Sequence, residues 1–170
     1  MKIRLKLLIL IAVTLLLFFA IFKLERTKVL IIESQTEDVK HTILVPEKKF
    51  TLSFIHSVEK TPVYEVFEIT KDNKLILVET TFSSLGVGLP YTEDNGEFKN
   101  EHGQFKLTGL NREFTSIEMR VSPIPKHSIT VGEKTYSLLS FVASDDLVKI
   151  TAADRWMLVR RNHFTMEGTE

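Results

Sequence analysis

The sequence predicts an all-β fold, a small antiparallel barrel or sandwich, behind an N-terminal transmembrane or signal helix. Three observations carry that prediction. An uncharged apolar run opens the chain, short runs of β-branched and aromatic residues follow it, and turn-forming residues separate those runs every few positions. A length of 170 residues suits one ordinary domain.

The opening element has the layout of an export signal. Lys2, Arg4 and Lys6 precede Leu7–Phe22, sixteen residues without a charge in which Thr14 is the only polar side chain. As a helix the run rises about 24 Å, against a hydrocarbon core of about 30 Å. It reaches across a bilayer if Lys6 and Lys23 extend their ammonium groups to the two interfaces. The tail FFAIFKLERTK offers no small-x-small cleavage site. The expectation is an uncleaved anchor over residues 1–28, contacting the lipid bilayer through residues 7–22, with residues 29–170 as an extracytoplasmic β domain. A cleaved signal would instead leave that domain secreted. The positive-inside rule decides orientation weakly, because both flanks carry three basic residues.

Later elements follow from alternation and punctuation. Val29–Glu33 and His41–Val45 read as strands, the second ended by Pro46. Phe50–Ser57, Pro62–Thr70 and Lys74–Phe82 form a three-stranded meander, the last two joined by a turn at Asp72-Asn73. Residues 86–103 read as a long polar loop. Phe105–Leu107 and Ser116–Val121 are short strand candidates, and Pro123 and Pro125 interrupt the chain. Ser128–Val131 and Lys134–Leu139 bracket Gly132-Glu133 as a tight hairpin. Leu147–Ile150 is another strand. Thr151–Asp154 has capping-box spacing, so the C-terminal segment through Trp156–Arg160 is either a short helix or a final strand. The meander favours a partly closed barrel.

Composition excludes several classes. The chain has no Cys, so disulfides, thiolate metal sites and a Cys nucleophile are out. Residues 1–28 hold six basic side chains and one acidic, which leaves residues 29–170 at a net −5. No clustered basic stripe marks a nucleic-acid partner. His41, His102, His127 and His163 are scattered, and no metal spacing or cofactor fingerprint is present. Glu93, Asp94 and Glu97, with Asp145-Asp146, lack a calcium-loop pattern and read as solvated surface. Trp156 with Met157 reads as core or interfacial packing.

One strand pair carries chemistry. If Ser57 lies opposite Pro62, Phe54 faces Glu65, and His56 faces Val63 diagonally from Glu65. Leu52, Phe54, His56, Val63, Glu65, Phe67 and Ile69 then share a largely apolar face. A carboxylate there needs a hydrogen bond or a counter-charge. The His56–Glu65 pair is therefore either a lock on strand register or part of a ligand site. A hydrolytic variant would use His56 as base, oriented by Glu65, with Ser83 or Ser84 brought to it. Ser57 points to the other face and suits a backbone bond at the strand end. Gly86-Val87-Gly88-Leu89-Pro90 could aim amide groups at an anion, or could simply be a tight crossover.

The ordered segments Phe54-Ile55-His56-Ser57-Val58, Thr61-Pro62-Val63-Tyr64-Glu65-Val66-Phe67 and Phe82–Pro90 resemble a bacterial family of exported proteins. Its members are often encoded beside components of tripartite (TRAP) transporters of the TAXI type. The resemblance covers residues 28–140. It implies candidate ligand-binding positions at His56, Ser57, Glu65, Gly86, Gly88 and Pro90, without a reaction, and by association a role near solute uptake. Three readings follow. The favoured one is an accessory domain binding a small ligand or a component of a TRAP-type transporter. The others are a small hydrolase and a purely structural domain.

Overall fold

The computed structural model describes residues 2–83, 96–101 and 103–160, apart from the side chains of Lys2, Ile3, Leu5, Glu101 and Arg160. One helix, α1 (Lys2–Ile21), precedes eleven strands: β1 (Phe22–Ser34), β2 (Lys40–Val45), β3 (Lys49–Ile55), β4 (Pro62–Ile69), β5 (Leu75–Phe82), β6 (Glu97–Glu101), β7 (Gln104–Phe114), β8 (Ile117–Val121), β9 (Ser128–Val131), β10 (Lys134–Ser137) and β11 (Asp146–Arg160). The chain divides into two compact units, residues 28–154 and residues 1–27 with 155–170.

Residues 28–154 form a sandwich rather than a barrel. The strands make two open antiparallel sheets, ordered β2-β1-β11-β8 and β10-β9-β3-β4-β5-β7-β6. The expected partial closure does not occur, because β10 and β6 end the larger sheet unpaired to one another and the smaller sheet supplies the second layer. One core unites both layers. Leu30, Ile32, Ile43, Val45, Val121, Val148 and Ile150 of the smaller sheet meet Phe50, Leu52, Phe67, Ile69, Leu75, Leu77, Leu107, Leu110 and Ile129 of the larger. The Phe50 and Phe67 rings stack at 5.2 Å. A short 3-10 turn, Leu138–Ser140, seats Leu138 in the same core.

The expected meander is present as β3, β4 and β5 in consecutive positions. Its second turn forms at Asn73, which takes a left-handed φ of 63°, and Thr70 Oγ1 accepts from the Lys74 amide at 3.0 Å. The Gly132-Glu133 hairpin also forms, with Gly132 at φ 56°. Three elements differ from expectation. Part of the expected 86–103 loop is the edge strand β6, whose charged composition suits an edge that must not recruit another chain. Strand β7 runs far beyond Leu107, because Gly109 at φ 74° absorbs an irregularity that breaks the alternation. The C-terminal segment takes the strand alternative as β11: Ala152 packs against the core and Asp154 faces Lys28, so tertiary contacts override the helix-capping signal.

The inner faces of β1 and β11 are apolar in the middle and polar at both ends. At one end Lys28 is buried, at 5% exposure. Its Nζ lies 3.1 Å from Asp154 Oδ1 and donates to the Lys71 carbonyl at 2.9 Å and to Asn73 Oδ1 at 2.7 Å. At the other end Asp146 is buried, and hydrogen bonds from Ser34 and then Thr36 hold its carboxyl below the usual carboxylate range.

In the other unit, the apolar side chains of Leu7–Ile21 described in α1 are solvent-exposed around the helix. The helix ends one residue short of the expected run to Phe22, since Phe22 opens β1, its ring tilted against that of Phe18 at 5.1 Å. Among the described residues, no helix is long and apolar enough to cross a membrane.

The Lys28 arrangement gives a test. Lys28→Met keeps the aliphatic stem but strips Asp154 of this cation, and is expected to cost about 3 kcal/mol. The double variant Lys28→Met/Asp154→Leu removes both charges and should recover most of that loss. Urea denaturation followed by circular dichroism measures both.

Candidate functional site

The register of β3 against β4 decides which residues meet. Leu52 lies opposite Glu65, Phe54 opposite Val63 and Ile55 opposite Pro62. This is two residues from the expected register. A shift of two preserves the face of every side chain but moves it along the strand. Glu65 stays on the inner face, as expected, while His56 falls beyond the end of β3. His56 is four positions along the chain from Leu52, about 13 Å of extended backbone, so the expected His56–Glu65 pair does not form.

His56 instead shapes the connection between the two strands. Its backbone amide donates to the Thr61 carbonyl at 2.9 Å, and its carbonyl accepts from the Lys60 amide at 3.0 Å. Nδ1 accepts from the Glu59 amide at 3.2 Å. Lys60 takes a left-handed φ of 55° to close the turn. The imidazole thus acts as a local cap, as Asn or Asp side chains often do. Ser57 sits exposed in the same turn. Gly86, Gly88 and Pro90 lie outside the described residues, as do Ser84, Glu93, Asp94, His102 and His163.

Glu65 occupies the middle of the inner face of the seven-stranded sheet. Reading across that face from β9, the row runs Ile129, Leu52, Glu65, Thr80, Leu107 and Phe98. The carboxyl is half-buried. Removal from water raises its pKa above the ordinary Glu value, and the positive charge of Arg112 on β7 opposes part of that rise. Next to it, Thr80 is 1% exposed, and its Oγ1 has no hydrogen-bond partner among the described residues.

Thr80 faces inward because of a bulge. Leu77 pairs with Phe67 and Glu79 with Val66, which leaves Val78 as an extra residue in β5. Burial follows the change in phase: Leu75 and Leu77 are buried before it, Thr80 and Phe82 after it. Beyond the next row, His127 packs its ring 5.8 Å from Phe54. Its Nδ1 is buried without a partner among the described residues, and burial lowers its pKa. The histidine beside this face is therefore His127, not His56.

Sequence reasoning placed Glu65 on this face but did not single out Thr80, Arg112 or His127 beside it. A Thr at an inward position of a strand is a visible signal only once the bulge is known. His127 lies in the Pro-rich segment after β8, and the Ile55 amide bonding to the Pro125 carbonyl at 2.7 Å draws that segment beside β3. Among the described residues no group of His, Asp or Glu is arranged to hold a metal ion. A separate groove of about 580 Å³ lies between Leu44, Pro46 and Glu47 on one side and the Gly132 hairpin with Tyr136 on the other. It contains none of the sequence-predicted site residues.

The model of a domain of unknown function, DUF1850, matches residues 50–138, just over half of the chain, and the protein belongs to that family. The matched span begins in β3 and ends just after β10, so it contains the seven-stranded sheet, and with it Glu65, Thr80, Arg112 and His127. It is shorter than the expected 28–140 and leaves out β1, β2 and β11. The family description names no activity or partner. No curated protein and no solved structure matches the chain.

The half-buried carboxyl makes stability depend on pH in a defined direction. With its folded pKa above its unfolded value, Glu65 favours the folded state while protonated in both states. That contribution is lost as pH rises from the ordinary Glu value through the raised one. Glu65→Gln should therefore be more stable than the parent at neutral pH and equal to it below the ordinary carboxylate range. Urea midpoints of both proteins across that range provide the check.

Proposed function

We propose that this member of the DUF1850 family is a binding domain for a small polar ligand, held on the extracytoplasmic side of a membrane by its N-terminal helix. The observation that carries the binding reading is Glu65, an ionisable group in the middle of an otherwise apolar inner sheet face, beside a Thr80 hydroxyl without a protein partner among the described residues. Partial burial of a carboxyl costs stability, and a Leu or Val would fill the position better. A ligand presenting N–H or O–H groups would return that cost by hydrogen bonding. A carboxyl whose pKa is raised can accept from such a ligand when ionised and donate to it when protonated. The matched family segment contains both residues.

Support for the location comes from the chain's beginning. Lys2, Arg4 and Lys6 precede apolar side chains that are exposed around α1, the arrangement of a signal anchor. Leu7–Ile21 is about 22 Å of helix. It therefore needs Lys6 and Lys23 to extend into the two interfaces to bridge the hydrocarbon layer. The binding reading makes no use of His56 as a base, since Glu65 is not there to orient it. A transporter component as partner rests on the family resemblance alone.

Two experiments test these readings. Native mass spectrometry of the full chain, purified in mild detergent, should show a co-purified small molecule that Glu65→Gln fails to retain; equal retention by the variant would remove Glu65 from the site. Protease added outside intact spheroplasts should digest residues 28–154. Their protection until the membrane is lysed would overturn the extracytoplasmic assignment.

A further inference from the structure

The smaller unit carries apolar side chains beyond those of α1. On the strand ends it contains, Leu24 is 64% exposed, Trp156 63%, Leu158 51% and Val159 37%. Isolated apolar residues on a surface are ordinary, but several on the ends of two neighbouring strands need a covering. Basic residues alternate with them along the strands: Lys23, Arg26 and Arg155 are all exposed, Arg26 on the face of Leu24, and Lys23 and Arg155 on the opposite faces of their strands, with long stems that can reach the same interface from the strand ends. Lys23 bridges Glu25 at 2.9 Å in solvent, a weak contact that leaves the ammonium able to meet other anions.

We propose that the first residues of β1 and the last residues of β11 form a patch that lies on an anionic lipid surface, with Trp156 at headgroup depth. The composition distinguishes lipid from a protein partner. Trp and aliphatic side chains interleaved with Lys and Arg suit the membrane interface, where an amphipathic ring has an apolar end and a wet end and basic groups meet phosphates. The same compact unit contains α1 with its exposed apolar surface. The inference rests on the reading that α1 enters the bilayer, and adds to it a second, non-helical membrane contact, whose β11 part comes some 130 residues later in the chain.

Trp156 is the only Trp in the protein, so its fluorescence reports this patch without substitution. The full chain would be reconstituted into vesicles of phosphatidylcholine with and without phosphatidylglycerol. Flotation in a density gradient tests α1. Emission maximum, iodide quenching and quenching by lipids brominated near the headgroup test the patch. The expected result in phosphatidylglycerol vesicles is a blue-shifted emission, iodide quenching severalfold weaker than in phosphatidylcholine alone, and strong quenching by the shallow brominated lipid. The variant Lys23→Gln/Arg155→Gln should lose the difference between the two lipid compositions. A chain that floats while Trp156 remains open to iodide overturns the patch and leaves the anchor standing. Protection from iodide without quenching by brominated lipid also overturns it, because a protein surface would then be the cover. A chain that does not float overturns both readings.

Discussion

The Lys28 ammonium, buried among Asp154 Oδ1, Asn73 Oδ1 and the Lys71 carbonyl, constrains where the two sheets meet. Asp154 belongs to β11 beside β1, whereas Lys71 and Asn73 belong to the turn between β4 and β5 of the opposite sheet. One cation therefore joins two neighbouring strands to the facing layer. Such a group is costly to desolvate and is retained only where its donors are satisfied, so it penalises any sheet placement that separates them. The apolar rows follow from that placement: Leu30 and Ile32 of β1, with Val148 and Ile150 of β11, close over Phe50, Leu52 and Phe67. Asp146 with Ser34 and Thr36 secures the far end by hydrogen bonding.

This arrangement makes Glu65 informative. Lys28 and Asp146 lie at the ends of the apolar rows of the smaller sheet, where Asp154, Asn73 and the Lys71 carbonyl meet the one and Thr36 the other. Glu65 lies in the middle of a row, with Leu52 on one side and Thr80 on the other. Arg112 supplies opposing charge but does not bring the carboxyl back to ordinary acidity. Burial of a carboxyl at that place costs stability, and this is the ground on which we propose a binding role.

Much of the architecture was legible from local pattern. Alternation in FTLSFI, PVYEVFEI and LILVETTF, with Asn73 between the last two, was enough to order β3, β4 and β5. Gly132 marked its hairpin. What stayed hidden was set by contacts between distant segments. Charged β6 resembles a loop because an edge strand has little to bury. TAAD resembles a helix start because the value of its Ala and Asp as core and ion-pair residues depends on Lys28, more than a hundred positions earlier. The site was legible in part for the same reason. Period-two reasoning placed Glu65 on the correct face, because an error of two residues leaves facing unchanged. The same error displaced His56, and no local signal announced that the imidazole would fold back onto the Glu59 amide.

The bulge at Val78 has a consequence for how this family can vary. It resets the alternation between Leu77 and Thr80, so the hydroxyl rather than Glu79 enters the core side. Exchanging Val78 for another residue leaves that phase intact. Losing Val78 would straighten the strand and keep its facing, because Glu79 would then follow Leu77 directly as its outward neighbour and Thr80 and Phe82 would still point inward. Divergence at this point of the strand is thus open both to a change of identity at Val78 and to its loss.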